Sequence, residues 1–101
     1  MPKVEGTYPH SLSKGVACEL CVKAISSLLD SFEGTDIFIA SDGDESILFG
    51  CESRGFSISG KVAIKEDEVD TTVELPILAF AFKGLVKAAM DKHIPRHLEQ
   101  D

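Results

Sequence analysis

The sequence predicts a two-layer α+β domain in which an antiparallel sheet carries two helices, in the order β-α-β-β-β-β-α. Three observations lead there. An apolar stripe recurs at spacings of three and four between Val16 and Phe32, the period of an amphipathic helix. From Ile37 to Leu75 the apolar residues alternate instead, as half-buried strands do. The connections between those strands are only a few residues long, too short for crossovers, so neighbouring strands run antiparallel. With 101 residues, the chain is read as one domain over residues 1–101, large enough to bury a core without metal or disulfide staples.

The first strand is expected at Val4 to Tyr8, ahead of Pro9, which interrupts a ladder. Ser13 is placed to cap the first helix, with Leu12 before it as a staple residue. The helix face comprises Val16, Ala17, Leu20, Ala24, Ile25, Leu28, Leu29 and Phe32, and Gly34 is a fitting stop. Ile37 and Ile39 lie on one face of the next strand, with Phe38 on the other. Ser41 to Glu45 (SDGDE) forms a turn. Ile47, Phe49 and Cys51 form the third strand's inner face. Ser53, Arg54 and Gly55 turn the chain again. Phe56, Ile58, Gly60, Val62 and Ile64 define the clearest strand, Lys65 to Glu68 (KEDE) a hairpin tip, and Val69, Thr71, Val73 and Leu75 the return strand. Pro76 suits the first turn of a second helix. That helix is expected from Ile77 to His93, with Pro95 ending or kinking it.

Charge and composition narrow the function. The chain has 10 basic and 17 acidic residues, a net charge of −7. Twelve of the acids fall in residues 30–74, against three bases there. Nucleic-acid partners need phosphate-neutralising Lys and Arg, so none is expected. The longest uncharged apolar run, Leu75 to Phe82, is far short of the about 20 residues of a membrane span, and no transmembrane insertion is expected. The opening MPKVEGTYPH lacks a basic stretch followed by an apolar one. Together with three cysteines, an odd number, this predicts a cytoplasmic protein.

Chemistry-bearing motifs are weak. Cys18-Glu19-Leu20-Cys21 is a C-x-x-C, but it lies inside the expected helix rather than at its N-terminus, where a helix dipole activates a thiol. It reads as small apolar filler, with a redox role as the rival. No second pair completes a zinc site, and no metal is expected. His93 and His97 are four apart, but Pro95 lies between them, and a frayed, solvated end is expected there. His10 reads as a hydrogen-bonding turn residue. The acids at Glu66, Asp67, Glu68 and Asp70 read as a solvated turn. No nucleophile elbow, phosphate-binding glycine loop or Ser/His/Asp set can be assembled, so the chain is expected not to be an enzyme and to need no cofactor.

The most informative segment runs from Leu75 to Val86. Ile77, Phe80 and Gly84 lie roughly on one helical side, and Leu78, Phe82 and Leu85 on another. A helix end that is apolar on most sides is either buried on most sides or exposed as a patch. Ile77, Leu78, Phe80, Phe82 and Leu85 are therefore the candidate contact residues for something apolar, with Lys83, Lys87 and Lys92 laying their stems along the edge. A homodimer interface is the alternative use of the same surface. A pocket between sheet and helix for a small hydrophobic ligand is another.

Several stretches resemble the small polyhydroxyalkanoic acid system proteins. They are Tyr8-Pro9-His10-Ser11-Leu12-Ser13 before the helix, Gly60-Lys61-Val62-Ala63-Ile64, Val69 to Leu75, Leu75-Pro76-Ile77-Leu78 and Phe82-Lys83-Gly84. The likeness spans residues 3–98. The resemblance implies a non-enzymatic accessory protein of polyhydroxyalkanoate, the bacterial storage polyester, whose partner is the granule surface or a granule protein. It carries over no catalytic residues. The chain departs from the family pattern in having no Trp in the second-to-third strand region, where an aromatic is common, and in its C-x-x-C.

Overall fold

In the computed structural model, which describes residues 2–98, one five-stranded antiparallel sheet lies under two helices. The order along the chain is β1 (Lys3–Pro9), α1 (Lys14–Ser31), β2 (Thr35–Asp42), β3 (Ser46–Ser53), β4 (Phe56–Ile64), β5 (Glu68–Glu74), a 3₁₀ segment (Ile77–Phe82) and α2 (Lys83–Leu98). In space the strands run β1-β5-β4-β3-β2. β2 to β5 form a meander, and β1 closes onto its far edge against β5, with Val4 opposite Val73 and Tyr8 opposite Val69. The helices pack on each other; α2 also covers β1, and α1 covers β2, β3 and β4.

The alternation along the strands sets which face meets the helices. Ile47, Phe49 and Cys51 of β3, Ile58, Val62 and Ile64 of β4, and Val69, Thr71 and Val73 of β5 are all buried. From α1 come Ala17, Cys18, Cys21, Ala24, Ile25, Leu28 and Leu29, and from α2 Val86, Met90, Ile94 and Leu98. That last set is spaced by four, a narrow stripe that lies against α1 and β1. Gly60 sits opposite Phe49 in the β3–β4 ladder. A methyl there would overlap both the Phe49 ring and the Thr72 carbonyl oxygen, so glycine is what lets the ring lie flat over the strand.

Ser13 caps α1, its Oγ accepting from the Val16 amide. The other end differs from expectation. The helix closes with Glu33, not Gly34, in the left-handed region (φ 55°), and the Gly34 amide returns to the Leu29 carbonyl at 3.0 Å. Gly34 is required for close approach instead: a Cβ there would press on Cys51 Sγ and the Leu29 oxygen. Val16, assigned to the apolar face, is exposed.

The edge strand β2 also differs. Asp36 has φ 51°, and the register with β3 shifts between Thr35 and Phe38. This bulge re-aims the strand. Ile37 stands exposed while Ile39 packs partly on the core, and Phe38 and Leu48 lie exposed on the sheet's outer face.

The largest correction concerns the C-terminal part. Ile77 to His93 is not one α-helix. Ile77–Phe82 winds as a 3₁₀ segment, with Pro76 at its N-cap rather than in its first turn. α2 then begins at Lys83 and continues through Pro95 to Leu98. Pro95 costs an intrahelical hydrogen bond, but Ile94 and Leu98 on either side of it are buried, and that packing holds the last turn in place. As far as Leu98 the helix is therefore continuous, not frayed. His97 Nδ1 donates to the His93 carbonyl at 2.9 Å, and Arg96 stands in the last turn, where a cation meets the negative end of the helix dipole.

Candidate functional site

The 3₁₀ winding determines what the Ile77–Phe82 segment presents. With three residues per turn, Ala79 and Phe82 share one edge. Ala79 is buried and Phe82 packs partly against the core. The remaining apolar side chains turn outward: Ile77 is 76% exposed, Leu78 84%, Phe80 50%, and Leu85 at the start of α2 65%. The five candidate contact residues thus divide. Ile77, Leu78, Phe80 and Leu85 are exposed, with the Lys83 ammonium 5.4 Å from the Phe80 ring centre. Phe82 instead faces Phe56, with ring centroids 6.4 Å apart, and the Arg54 guanidinium lies 6.0 Å from its ring centre. Of the lysines expected to edge the patch, Lys87 is engaged elsewhere, in a 2.7 Å ion pair with Asp91.

Beside the patch lies a groove of about 380 Å³ between the end of α1, the β3–β4 turn and α2. Its inner surface is apolar, formed by the buried Ile58, Leu75, Ala79 and Val86; the half-buried Phe32, Phe56, Phe82 and Ala89 make its sides. Leu85, exposed like Ile77, Leu78 and Phe80, also lines the groove. The rim carries the cations Arg54 and Lys92 and the imidazole of His93. Two lining serines have their protons committed: Ser53 Oγ donates to the Phe32 carbonyl at 2.5 Å and Ser31 Oγ to that of Leu28 at 2.6 Å.

Arg54 reaches this rim through a two-residue hairpin turn. Ser53 pairs with Phe56, and the residues between, Arg54 and Gly55, have φ 54° and 83°. Positive φ at both central positions is the I′ turn, which favours Asn-Gly or Gly-Gly. An arginine there costs about 1–2 kcal/mol of backbone strain. His93 is held below the usual imidazole range, first by burial and then by the charges of Lys92, His97 and Arg96.

Cys18, Cys21 and Cys51 are free and buried. Burial pushes the Cys21 thiol up to about 12, with Cys18 adding to it. Burial also raises Cys18, reinforced by Asp44 and Glu19, and its Sγ points to the Gly43 carbonyl at 3.8 Å. These thiols are the reverse of activated. His10 accepts the Leu12 amide at Nδ1 (3.0 Å), so its proton sits on Nε2, which donates to the Lys65 carbonyl at 2.9 Å. Both ring nitrogens are used in holding the β1–α1 connection to the hairpin tip. Among the described residues, no three His, Cys, Asp or Glu side chains converge as a metal site, and no helix is long and apolar enough to cross a membrane.

The sequence offered a sheet–helix pocket as an alternative, but the lining of this groove was not legible in it, because the walls come from five separate segments. The one available signal was an arginine ahead of glycine in a tight turn, where asparagine is the easy choice.

Comparison with known proteins gives one informative match. The family model described as "Putative polyhydroxyalkanoic acid system protein" matches residues 5–98. A search of curated proteins found no match. Among solved structures, the crystal structure of TTHA0849 from Thermus thermophilus aligns over 97% of this chain and 92% of its own, at 13% identity and a TM-score of 0.44.

Proposed function

The chain belongs to the polyhydroxyalkanoic acid system protein family, and on that premise we propose that it is a non-enzymatic accessory protein that adsorbs to the surface of polyester granules. The observation carrying this reading is the outward turn of Ile77, Leu78, Phe80 and Leu85 within nine residues. Singly exposed apolar residues are ordinary, but a contiguous group marks a contact surface. Each side chain contributes about 1.5–3 kcal/mol when fully removed from water. The acidic residues supply the complementary half of the mechanism: Asp36, Asp42, Asp44, Glu45, Glu52, Glu66 and Asp67 are all exposed, and a negative coat keeps particles apart by repulsion.

The test is flotation of granules from a polyester-accumulating bacterium expressing the tagged protein. Wild type is expected in the granule layer. Leu78→Asp, at the most exposed position, is expected in the supernatant with an unchanged circular dichroism spectrum. Wild type found wholly in the supernatant overturns the reading. So does a dimer in which Leu78 is shielded, because the same patch would then be occupied by a second copy.

A further inference from the structure

We propose that the groove between α1, the β3–β4 turn and α2 is a binding site for a carboxylate-headed alkyl chain. The tail lies among Phe32, Phe56, Phe82 and Leu85, and the carboxylate sits at the rim charged by Arg54 and Lys92. Three independent features carry this.

The first is charge. The protein has 17 acids to 10 bases, yet the described lining of this groove contains Arg54, Lys92 and His93 and no Asp or Glu. Two other concavities differ: one includes Asp70 and Glu74, another Glu19 and Asp44. Among the described residues, neither Arg54 nor Lys92 is in an ion pair. Around this one apolar opening an acidic protein has thus placed two cations with no carboxylate partner among the described residues, an arrangement complementary to an amphiphilic anion.

The second is strain. Arg54 occupies a left-handed backbone position that Asn or Gly would hold without cost. Strain of this kind is maintained where a side chain is needed at that point. The guanidinium it supplies stands over Phe82, a wall of the groove.

The third is size and polarity. The volume of about 380 Å³ falls at the lower end of small-molecule sites, roughly 300–1,000 Å³. The interior is hydrocarbon, and the charges are at the mouth. That arrangement suits a short or medium acyl chain with one anionic head. His93, kept neutral by burial and neighbouring cations, adds a ring nitrogen able to meet a hydroxyl. Fatty acids and hydroxyalkanoic acids share this chemistry.

The inference does not depend on granule adsorption, and its test is separate. Amide NMR titrations of the whole protein with octanoate, 3-hydroxyoctanoate and octanol read affinity and location together. Saturable shifts are expected at Ala79, Phe82, Ala89 and His93 with either acid, and the tighter acid identifies which source the site serves. Arg54→Asn combined with Lys92→Gln is expected to weaken octanoate by about tenfold, the loss of a charge-assisted contact, and to leave octanol unchanged. Arg54→Asn relieves the turn strain, so its effect on binding is not an effect of unfolding. Leu78→Asp is expected to retain octanoate binding even as it abolishes flotation. The proposal is overturned if no acid saturates, if octanol binds as tightly as octanoate, or if the shifts centre on Ile77 and Leu78.

Discussion

The phenol of Tyr8 in β1 donates a 2.7 Å hydrogen bond to the carboxylate of Asp91 in α2, joining residues 83 positions apart. The same Asp91 oxygen accepts from the Lys87 ammonium at 2.7 Å, and that ammonium lies 5.6 Å from the Tyr8 ring centre. The first strand and the last helix are therefore tied by one polar cluster at the margin of the core. Tyr8→Phe keeps the ring and removes the bond. It is expected to lower stability by about 1 kcal/mol, read as a lower urea midpoint with an unchanged slope. A midpoint equal to wild type would show the bond to be energetically idle.

Alkaline pH is expected to weaken the fold. Burial, then Asp91, raises the Tyr8 phenol well above its ordinary 10.0, and burial lifts Cys21 from 9.0 to about 12. The native state holds these protons while the unfolded chain releases them, so stability falls as pH climbs past the ordinary values. The urea midpoint should be flat to about pH 8.5 and decline beyond about pH 9. A flat profile to about pH 11 contradicts the assigned burial.

His93 acts in the opposite direction. Its folded value lies below the ordinary 6.5, so the unfolded chain binds the proton first as pH drops. Stability is full above 6.5, declines below it and levels once the folded imidazole also charges. His93→Gln should flatten this part of the acid limb. A separate loss at lower pH, as Asp91 protonates, should remain, because Lys87 and Tyr8 hold that carboxyl below its ordinary 3.8.

Thr71 lies on the inner face of β5 between Val69 and Val73, buried, and its Oγ1 has no hydrogen-bond partner among the described residues. A desolvated hydroxyl without a partner costs about 1–3 kcal/mol. Thr71→Val keeps the branched shape and should raise stability by about 1 kcal/mol, measured as a higher urea midpoint. A drop would locate a partner for the hydroxyl, such as a buried water.

What was legible in the sequence was periodicity. β4 runs from Phe56 to Ile64, the span of the alternating set, and the Ser13 cap and the inner positions of β3 and β5 follow the same logic. What was not legible depended on competition between local preference and packing. Pro95 argued against a continuing helix until Ile94 and Leu98 were both buried around it. Ile77 to Phe82 carries no internal sign that it winds with three residues per turn rather than 3.6, yet that difference decides which apolar side chains face water. The groove required knowing that Arg54 and Lys92, far apart along the chain, reach one opening.

The bulged start of β2 bears on crowding. An outermost strand with free amides and carbonyls is a template onto which an identical molecule can zip. Repeated from copy to copy, that pairing builds a fibre. The irregular register between Thr35 and Phe38 breaks the straight row of donors such a templating partner would need, and Asp36 and Asp42 set like charges against each other in any approach. The exposed edge of β2 is therefore a poor template for pairing with a second copy.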